Sequence, residues 1–324
     1  MSTAFSAQST TDEVLDDVDL TGRRYLVTGV SAGLGVETTR ALLAHGASVV
    51  GTARDLAKAE RALTEVRTAV HPGATLDVIE VDLASLASVR AGADAILARG
   101  ETFDALIANA GVMACPFGTT ADGFETQFGT NHLGHFVLVN RLLPLVKTPG
   151  RIVMLSSAAH RRSDVSLDDP GFATTEYDPW VSYGRSKTAN VLFAVALDER
   201  LRGTGIRATA LHPGGIDTEL GRHMDPKVIE AMRASAAASS PGGAQSLRKS
   251  VPQGAATTVW AACVAEPDAI GGRFLEDCNV ASVNDTPAMG GVKGYALDAD
   301  TAAALWTLSE EMTGEQFTVP PAAG

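Results

Sequence analysis

From residue 24 onward the chain alternates short apolar runs with amphipathic stretches of helical period, and this alternation constrains the fold more than any other feature. A strand, a helix and a second strand form a βαβ unit, and joined units close into a parallel sheet with helices on its faces. "RYLVTG" (24–29) reads as a strand, and "GLGVETTRALLAHG" (33–46) as a helix closed by Gly46 after its last turn. "ASVVGTA" (47–53) returns as a strand, "DLAKAERALTEVRTAV" (55–70) as a helix capped by Asp55. "TLDVIEVD" (75–82), a helix around "SLASVRAGADAILARG" (85–100) and "FDALIANAG" (103–111) complete the first winding. A long helix near 122–147, the strand "GRIVMLSS" (150–157), a helix opening at 182 and the strand "GIRATALHPGG" (205–215) make the second.

The expected architecture is therefore α/β, a doubly wound and mainly parallel sheet. Right-handed crossovers place the carboxyl ends of all its strands on one edge, where ligands of such folds bind. One domain is expected over 21–315, between a loose Ser/Thr/Asp-rich leader (1–20) and a tail (316–324). The segment 219–252, rich in Ala, Ser, Met and Gly, breaks the rhythm and reads as a small lobe over the ligand edge. Its Met224 and Met232 suit an adaptable apolar cavity, though such residues also serve as core.

Composition removes several classes of function. A formal charge of −12 over 324 residues argues against a surface built for nucleic acid or anionic lipid. Three scattered cysteines, Cys115, Cys263 and Cys278, make neither a disulfide framework nor a closed zinc site, and the histidines form no ligand cluster. No apolar run approaches the ~20 residues needed to cross a bilayer, and residues 1–20 lack the plan of a signal peptide. A cytoplasmic protein without membrane anchor or metal is expected.

"TGVSAGLG" (28–35) joins the first strand to the first helix. There Gly29 permits a tight turn, Gly33 a close approach to a pyrophosphate and Gly35 tight packing, while the helix start offers amide donors. The spacing is G-x-x-x-G-x-G rather than G-x-G-x-x-G. At the end of the second strand, where an acid would grip the ribose of NAD, stand Ala53 and then Arg54. That favours NADP(H) over NAD(H), with Ser31 as a further phosphate ligand. "SYGRSK" (182–187) sets Tyr183 and Lys187 four apart on one helical face.

Together, "TGVSAGLG", "VDL" (81–83), "NAG" (109–111), "TNHLGHF" (130–136), "MLSS" (154–157), "YGRSK" (183–187) and "HPGGIDT" (212–218) resemble the short-chain dehydrogenase/reductase family, in order, from about residue 22 to 312. "NHLGHFVLVNRLLP", "SSAAH", "SKTANVLFA", "GGRFLEDCN" and "LWTLSEEMTG" look most like its retinol-dehydrogenase-like branch. The resemblance implies a Rossmann fold in which Leu34 joins the cradle and Asp82 and Leu83 flank the adenine. It implies that Asn109, Ala110 and Gly111 line the middle of the cofactor, and that Pro213, Gly214, Ile216 and Thr218 hold the carboxamide.

A carbonyl reduced by hydride gathers negative charge on oxygen and needs a proton donor with a second donor beside it. Tyr183 fits the first role; for the second the family pattern favours Ser157 over its neighbour Ser156. Lys187 and an oxidised nicotinamide would draw the phenol below its ordinary value of ~10. The resemblance adds that Lys187 binds the nicotinamide ribose and that Asn131 holds a water in a proton relay. The expected activity is an NADP(H)-dependent ketone or aldehyde reductase, or secondary alcohol dehydrogenase, on a moderately bulky apolar substrate. A carbon–carbon double-bond reductase and a non-catalytic NADP(H) sensor are the alternatives. The insertion 158–181 between Ser157 and the tyrosine helix is expected to wall the substrate, the absence of an anchor argues against retinoids, and family habit suggests a homodimer or homotetramer.

Overall fold

In the computed structural model, residues 5–68, 70–216, 218–223 and 248–318 are described. Their strands are β1 (Arg24–Thr28), β2 (Ser48–Ala53), β3 (Leu76–Glu80), β4 (Phe103–Ala108), β5 (Val146–Leu155), β6 (Ile206–His212), β7 (Gly215–Ile216), β8 (Arg248–Lys249), β9 (Phe274–Glu276) and β10 (Asn279–Val280). Eight of them form one sheet in the order β3-β2-β1-β4-β5-β6-β9-β10, parallel except for the β9–β10 hairpin. The order reverses between β1 and β4, which opens the crevice that doubly wound sheets use for ligands. All six residues of β4 are buried because both faces of the sheet are covered; five are apolar, and the sixth, Asp104, is paired with Arg23 at 2.8 Å and Lys147 at 2.7 Å.

The helices are α1 (Thr11–Leu15), α2 (Gly33–Ala44), α3 (Leu56–Thr68), α4 (Leu86–Ala98), α5 (Thr126–Phe128), α6 (Gly134–Leu142), α7 (Pro179–Arg200), α8 (Val251–Val259), α9 (Pro267–Ile270) and α10 (Ala299–Thr313). One core packs α4, α6, α7 and α10 on the sheet, and Phe136 lies at its centre, 5.3 Å from the Phe193 ring and 5.1 Å from Trp306. Fully burying such a side chain contributes about 1.5–3 kcal/mol. The opposite face carries α1, α2, α3 and α8 over Val27, Val49 and Ile107.

Four features depart from the sequence reading. The leader is not loose where it is described: Thr10 and Glu13 form a reciprocal capping box on α1, and Val14, Leu15 and Leu20 are buried against the domain. The tyrosine helix opens at Pro179 rather than at 182, because the Asp178 carboxylate accepts from the amides of Trp180 and Val181 at 2.8 Å. The helix expected near 122–147 is broken by a π-helical turn at Gly129–Leu133 and ends earlier, since β5 already starts at Val146. The β9–β10 edge was not read as strands; its turn residues Asp277 and Cys278 both sit in the left-handed region, with φ of 53° and 57°. At the carboxyl end, Phe317 packs 5.6 Å from Phe136, while 319–324 lie outside the described residues, as does most of the lobe expected at 219–252 with Met224 and Met232.

Candidate active site

The carboxyl ends of β1, β2, β4, β5 and β6 open on one continuous cleft of about 1820 Å³. At one end lies the β1–α2 turn. Gly29 has φ 76°, and a Cβ there would meet Ala110 at 2.8 Å; a Cβ on Gly35 would stand 2.2 Å from the Gly29 carbonyl oxygen. Both positions therefore require glycine. Ala32 precedes α2 without a side-chain cap and the first turn holds no acid, so the amides of Gly33 and Leu34 are left for an anion from the cleft. Ser31, exposed Arg54, Asp82 and Leu83 line the same end.

The middle of the cleft is tied to the sheet. Asn109 Nδ2 donates to the Thr28 carbonyl at 2.7 Å, joining β4 to β1, and the Ala110 amide donates to Thr28 Oγ1 at 2.9 Å. Thr28 Oγ1 lies 2.9 Å from His135 Nε2, and His135 Nδ1 lies 3.0 Å from the Asn131 carbonyl. The carbonyl must receive Nδ1–H, so the hydroxyl donates to Nε2 and the tautomer follows. Burial holds His135 neutral, down at about 4. The sequence offers His135 only as a metal or acid/base candidate that lacks a ligand cluster, and nothing in it points to Thr28, although both stand inside quoted motifs.

Asn131, fully buried in the π-helical turn, accepts from the Val112 amide at 2.8 Å and donates to the Val112 carbonyl and Ser186 Oγ, each at 2.9 Å. Its carboxamide is thus committed to Val112 and Ser186, and Asn131 stands behind the residues that line the cleft. A π turn inserts one extra residue into the helix and commonly accompanies functional sites.

Tyr183 and Lys187 lie on one face of α7, as their spacing required, and both are buried. Lys187 Nζ donates to the Leu155 carbonyl at 2.9 Å and stands 5.8 Å from the Tyr183 ring centre. A Cβ on Gly111 would lie 3.5 Å from that ammonium and 3.1 Å from Asn131 Oδ1, so small residues there keep the approach open. Burial pushes the Tyr183 phenol up to about 12, partly offset by a hydrogen bond with Ser157. Burial likewise brings Lys187 down to about 8. The lowering of the phenol expected from Lys187 is therefore not seen: burial dominates at both groups.

The two serines are separated by their partners. Ser156 Oγ is spent on the Lys187 carbonyl at 2.8 Å, whereas half-buried Ser157 faces Tyr183 and accepts from the Ala159 amide at 3.1 Å. His212 Nδ1 accepts from the Ala158 amide at 3.1 Å, fixing the segment after Ser157. Pro213, Gly214, Ile216 and Thr218 follow along the cleft wall. Gly214 has φ 105°, and a Cβ there would strike Lys249 Cδ at 2.7 Å; Lys249 Nζ pairs with Asp277 at 2.6 Å. The Lys249–Asp277 pair had no signal in the sequence, because its partners meet only through the β7–β8 pairing and the β9–β10 turn. Among the described residues no group of His, Cys, Asp or Glu could hold a metal ion, and no helix is long and apolar enough to cross a membrane.

The family described as short chain dehydrogenase matches residues 23–228. A short-chain dehydrogenase/reductase of Penicillium roqueforti is 39% identical, covering 94% of this chain and 90% of its own. Human retinol dehydrogenase 14 is 37% identical, with 90% and 87% covered. A solved, uncharacterized protein from Mycobacterium paratuberculosis superposes with a TM-score of 0.71 at 36% identity, over 94% of this chain and 98% of that one. A short chain dehydrogenase from Burkholderia cenocepacia, solved in complex with NADP, shares the fold with a TM-score of 0.61 at 24% identity, over 79% and 96%. With the glycine cradle at one end of its cleft and Tyr183, Lys187 and Ser157 at the other, the chain belongs to the short-chain dehydrogenase/reductase family, on its retinol-dehydrogenase-like side, and is an oxidoreductase that binds a nicotinamide cofactor.

Proposed function

We propose that the protein is an NADP(H)-dependent reductase of ketones or aldehydes, reversible as an alcohol dehydrogenase, in which Tyr183 is the general acid. The observation that carries this reading is a buried phenol beside a serine hydroxyl at the inner end of a dinucleotide-sized cleft. The cleft lining of Gly29, Ser31, Gly33 and Leu34 and the uncapped α2 amides fit a pyrophosphate, with Gly35 allowing the turn to pack closely beneath it. Arg54 would meet a ribose 2′-phosphate, Asp82 and Leu83 the adenine, Asn109 to Gly111 the middle, Lys187 the nicotinamide ribose, and Pro213 to Thr218 the carboxamide. When bound, the cofactor supplies the hydride that the carbonyl carbon receives.

The chain's own groups manage the oxygen. Ser157 donates a hydrogen bond to the carbonyl and holds it against Tyr183, stabilising charge as it develops there. The phenol gives its proton to the same oxygen, forming the alcohol, and recovers one from solvent. A phenol held near 12 stays protonated at neutral pH and can give its proton to the far more basic alkoxide, but the phenolate that alcohol oxidation needs is scarce until positive charge in the occupied cleft lowers that value. Lys187, one turn away, carries part of that charge below its value of about 8. Trp180, Met113, Val112 and Met289 support an apolar substrate of moderate bulk. The likeness to retinol dehydrogenases supports the same chemical class without naming the compound.

The test is a panel of ketones, aldehydes and alcohols followed by nicotinamide absorbance with NADPH and NADH, with product analysis to separate carbonyl from carbon–carbon reduction. Tyr183→Phe is expected to lower kcat by roughly 10²–10⁴-fold while NADPH still binds. Near-normal turnover by that variant would remove Tyr183 from the chemistry.

A further inference from the structure

The short helical turn Ala158–Arg162, capped by Ser157, carries three side chains that reach outward from the catalytic serine. Arg162 lies over the Trp180 ring at 5.2 Å, and His160 Nε2 accepts from the Lys293 amide at 3.2 Å. Arg161 does something less usual. Its Nη1 donates to the carbonyls of Asn284 at 2.9 Å and Gly291 at 3.4 Å, and its Nη2 to those of Thr286 at 2.8 Å and Ala288 at 2.7 Å. One guanidinium thus collects four backbone oxygens from a single loop.

That loop is closed at its base, where the Val292 amide donates to the Ser282 carbonyl at 3.0 Å and the Asn284 amide to the Val292 carbonyl at 2.8 Å. Gly290 and Gly291 turn it through the left-handed region, and a Cβ on Gly291 would stand 2.6 Å from the Ser282 carbonyl oxygen. Four carbonyl dipoles pointing at one spot repel one another unless a cation sits there, and the planar fork of arginine supplies both the charge and enough donors. Lys293 Nζ adds a bond to the Thr286 carbonyl at 3.0 Å. The loop presents Thr286, Pro287, Met289 and Gly290 to the cleft that also holds Ser157, Trp180 and Tyr183. Met289 is 85% exposed, a flexible apolar side chain free to adapt to a guest.

We propose that Arg161 is a specificity-determining positioning residue: by gathering these carbonyls it fixes segment 284–291 as a wall across the substrate end of the cleft, in register with Ser157. It touches no reacting atom; it decides how much room a bulky apolar carbonyl finds beside the catalytic pair. The proposal rests on the reductase reading for its kinetics and on geometry alone for its placement of the loop.

Arg161→Ala and Arg161→Lys in the full chain test it, with two readouts. In hydrogen–deuterium exchange of the NADPH-bound protein, amides of 284–294 in Arg161→Ala should exchange at least about tenfold faster while β4 is unchanged, with the lysine variant intermediate. In kinetics, Arg161→Ala should change KM for decanal by about tenfold or more and leave kcat, and KM for cyclohexanone, within about twofold, with partial rescue by lysine. Unchanged exchange in both variants, or equal losses for the two carbonyls, overturns the proposal. Should Arg161→Ala not fold, the lysine variant decides by the same two criteria. If the wild-type protein reduces neither carbonyl, the substrate reading falls, and the exchange measurement still decides whether Arg161 holds the wall.

Discussion

The two ends of the cleft are built from different materials. The cofactor end is backbone: Gly29, Gly33 and Gly35, uncapped amides and a carbonyl held by Asn109. The substrate end is side chain: Arg161, His160, Lys249 and Asp277 fasten loops that lie far apart in sequence. Backbone cradles leave little freedom of substitution, since an added Cβ collides with main chain. Side-chain fasteners can be exchanged for others, so the same frame accepts different guests.

The severest way to break this comparison is at Gly35. Its Cβ would stand 2.2 Å from the Gly29 carbonyl oxygen, so Gly35→Ala should weaken NADPH binding by roughly tenfold to a hundredfold, measured by calorimetric titration. Gly171→Ala, where nothing lies within 4 Å, is the control expected to bind as wild type. Equal binding by both variants would mean that the cradle yields more than its geometry allows.

Arg54 sharpens the comparison because it is the one exposed cationic side chain among the cofactor-end residues singled out above. Arg54→Ala should weaken NADPH by about tenfold and leave NADH unchanged, since only one of them carries a phosphate to pair with a guanidinium. An unaltered ratio of kcat/KM for the two cofactors would put that selectivity elsewhere.

How far these ends could be read beforehand follows from the same difference. Gly29, Gly35 and Tyr183 with Lys187 were legible, because turn geometry and helical spacing act within a few residues; Asn109 came only through the family resemblance, since the Thr28 carbonyl it holds lies 81 positions away. The separation of Ser156 from Ser157 was not legible from local pattern, since it depends on the Lys187 carbonyl 31 positions away. Nor was the commitment of the Asn131 carboxamide to Val112, or the four carbonyls around Arg161, more than 120 positions downstream. The leader was misjudged because its polar composition hid the few side chains that matter, Val14, Leu15 and Leu20.

A smaller effect concerns Lys187, where function and stability oppose each other. Its folded value of about 8 lies below the ordinary ~10.4 of an unfolded lysine, so the folded state holds the proton less well. The resulting cost to stability is full below pH 8 and vanishes as pH rises past the unfolded value. Lys187→Met should therefore raise Tm by a few degrees at pH 7, with the gain shrinking toward pH 10, while activity is lost. Leu155 keeps a donor in that variant, because Asn190 Nδ2 reaches its carbonyl at 3.1 Å. A gain that does not depend on pH would mean that packing, not the buried charge, is responsible.

Acid should act on both ends alike, and here the smallest contrast is expected. His135 behind the cradle and His160 beneath the substrate wall are both held neutral by burial, at about 4, below the unfolded 6.5. Stability from these groups is present above pH 6.5 and lost as pH falls toward 4. Far-ultraviolet dichroism and bound-NADPH fluorescence should decline together; a substrate end that loosens first would make His160 a local weak point.

The helix that begins at the glycine turn with an uncapped N-terminus is also braced from outside. Thr11 Oγ1 donates to buried Glu37 on α2 at 2.5 Å, Arg40 bridges that carboxylate to Asp12 at 2.8 Å, and Val14 and Leu15 fill the space behind. Shortening the polypeptide to begin at the first sheet strand would keep every signature residue of the family and take away the buttress of its nucleotide helix. Trimming guided by motifs alone would thus harm cofactor affinity through residues that no family motif contains.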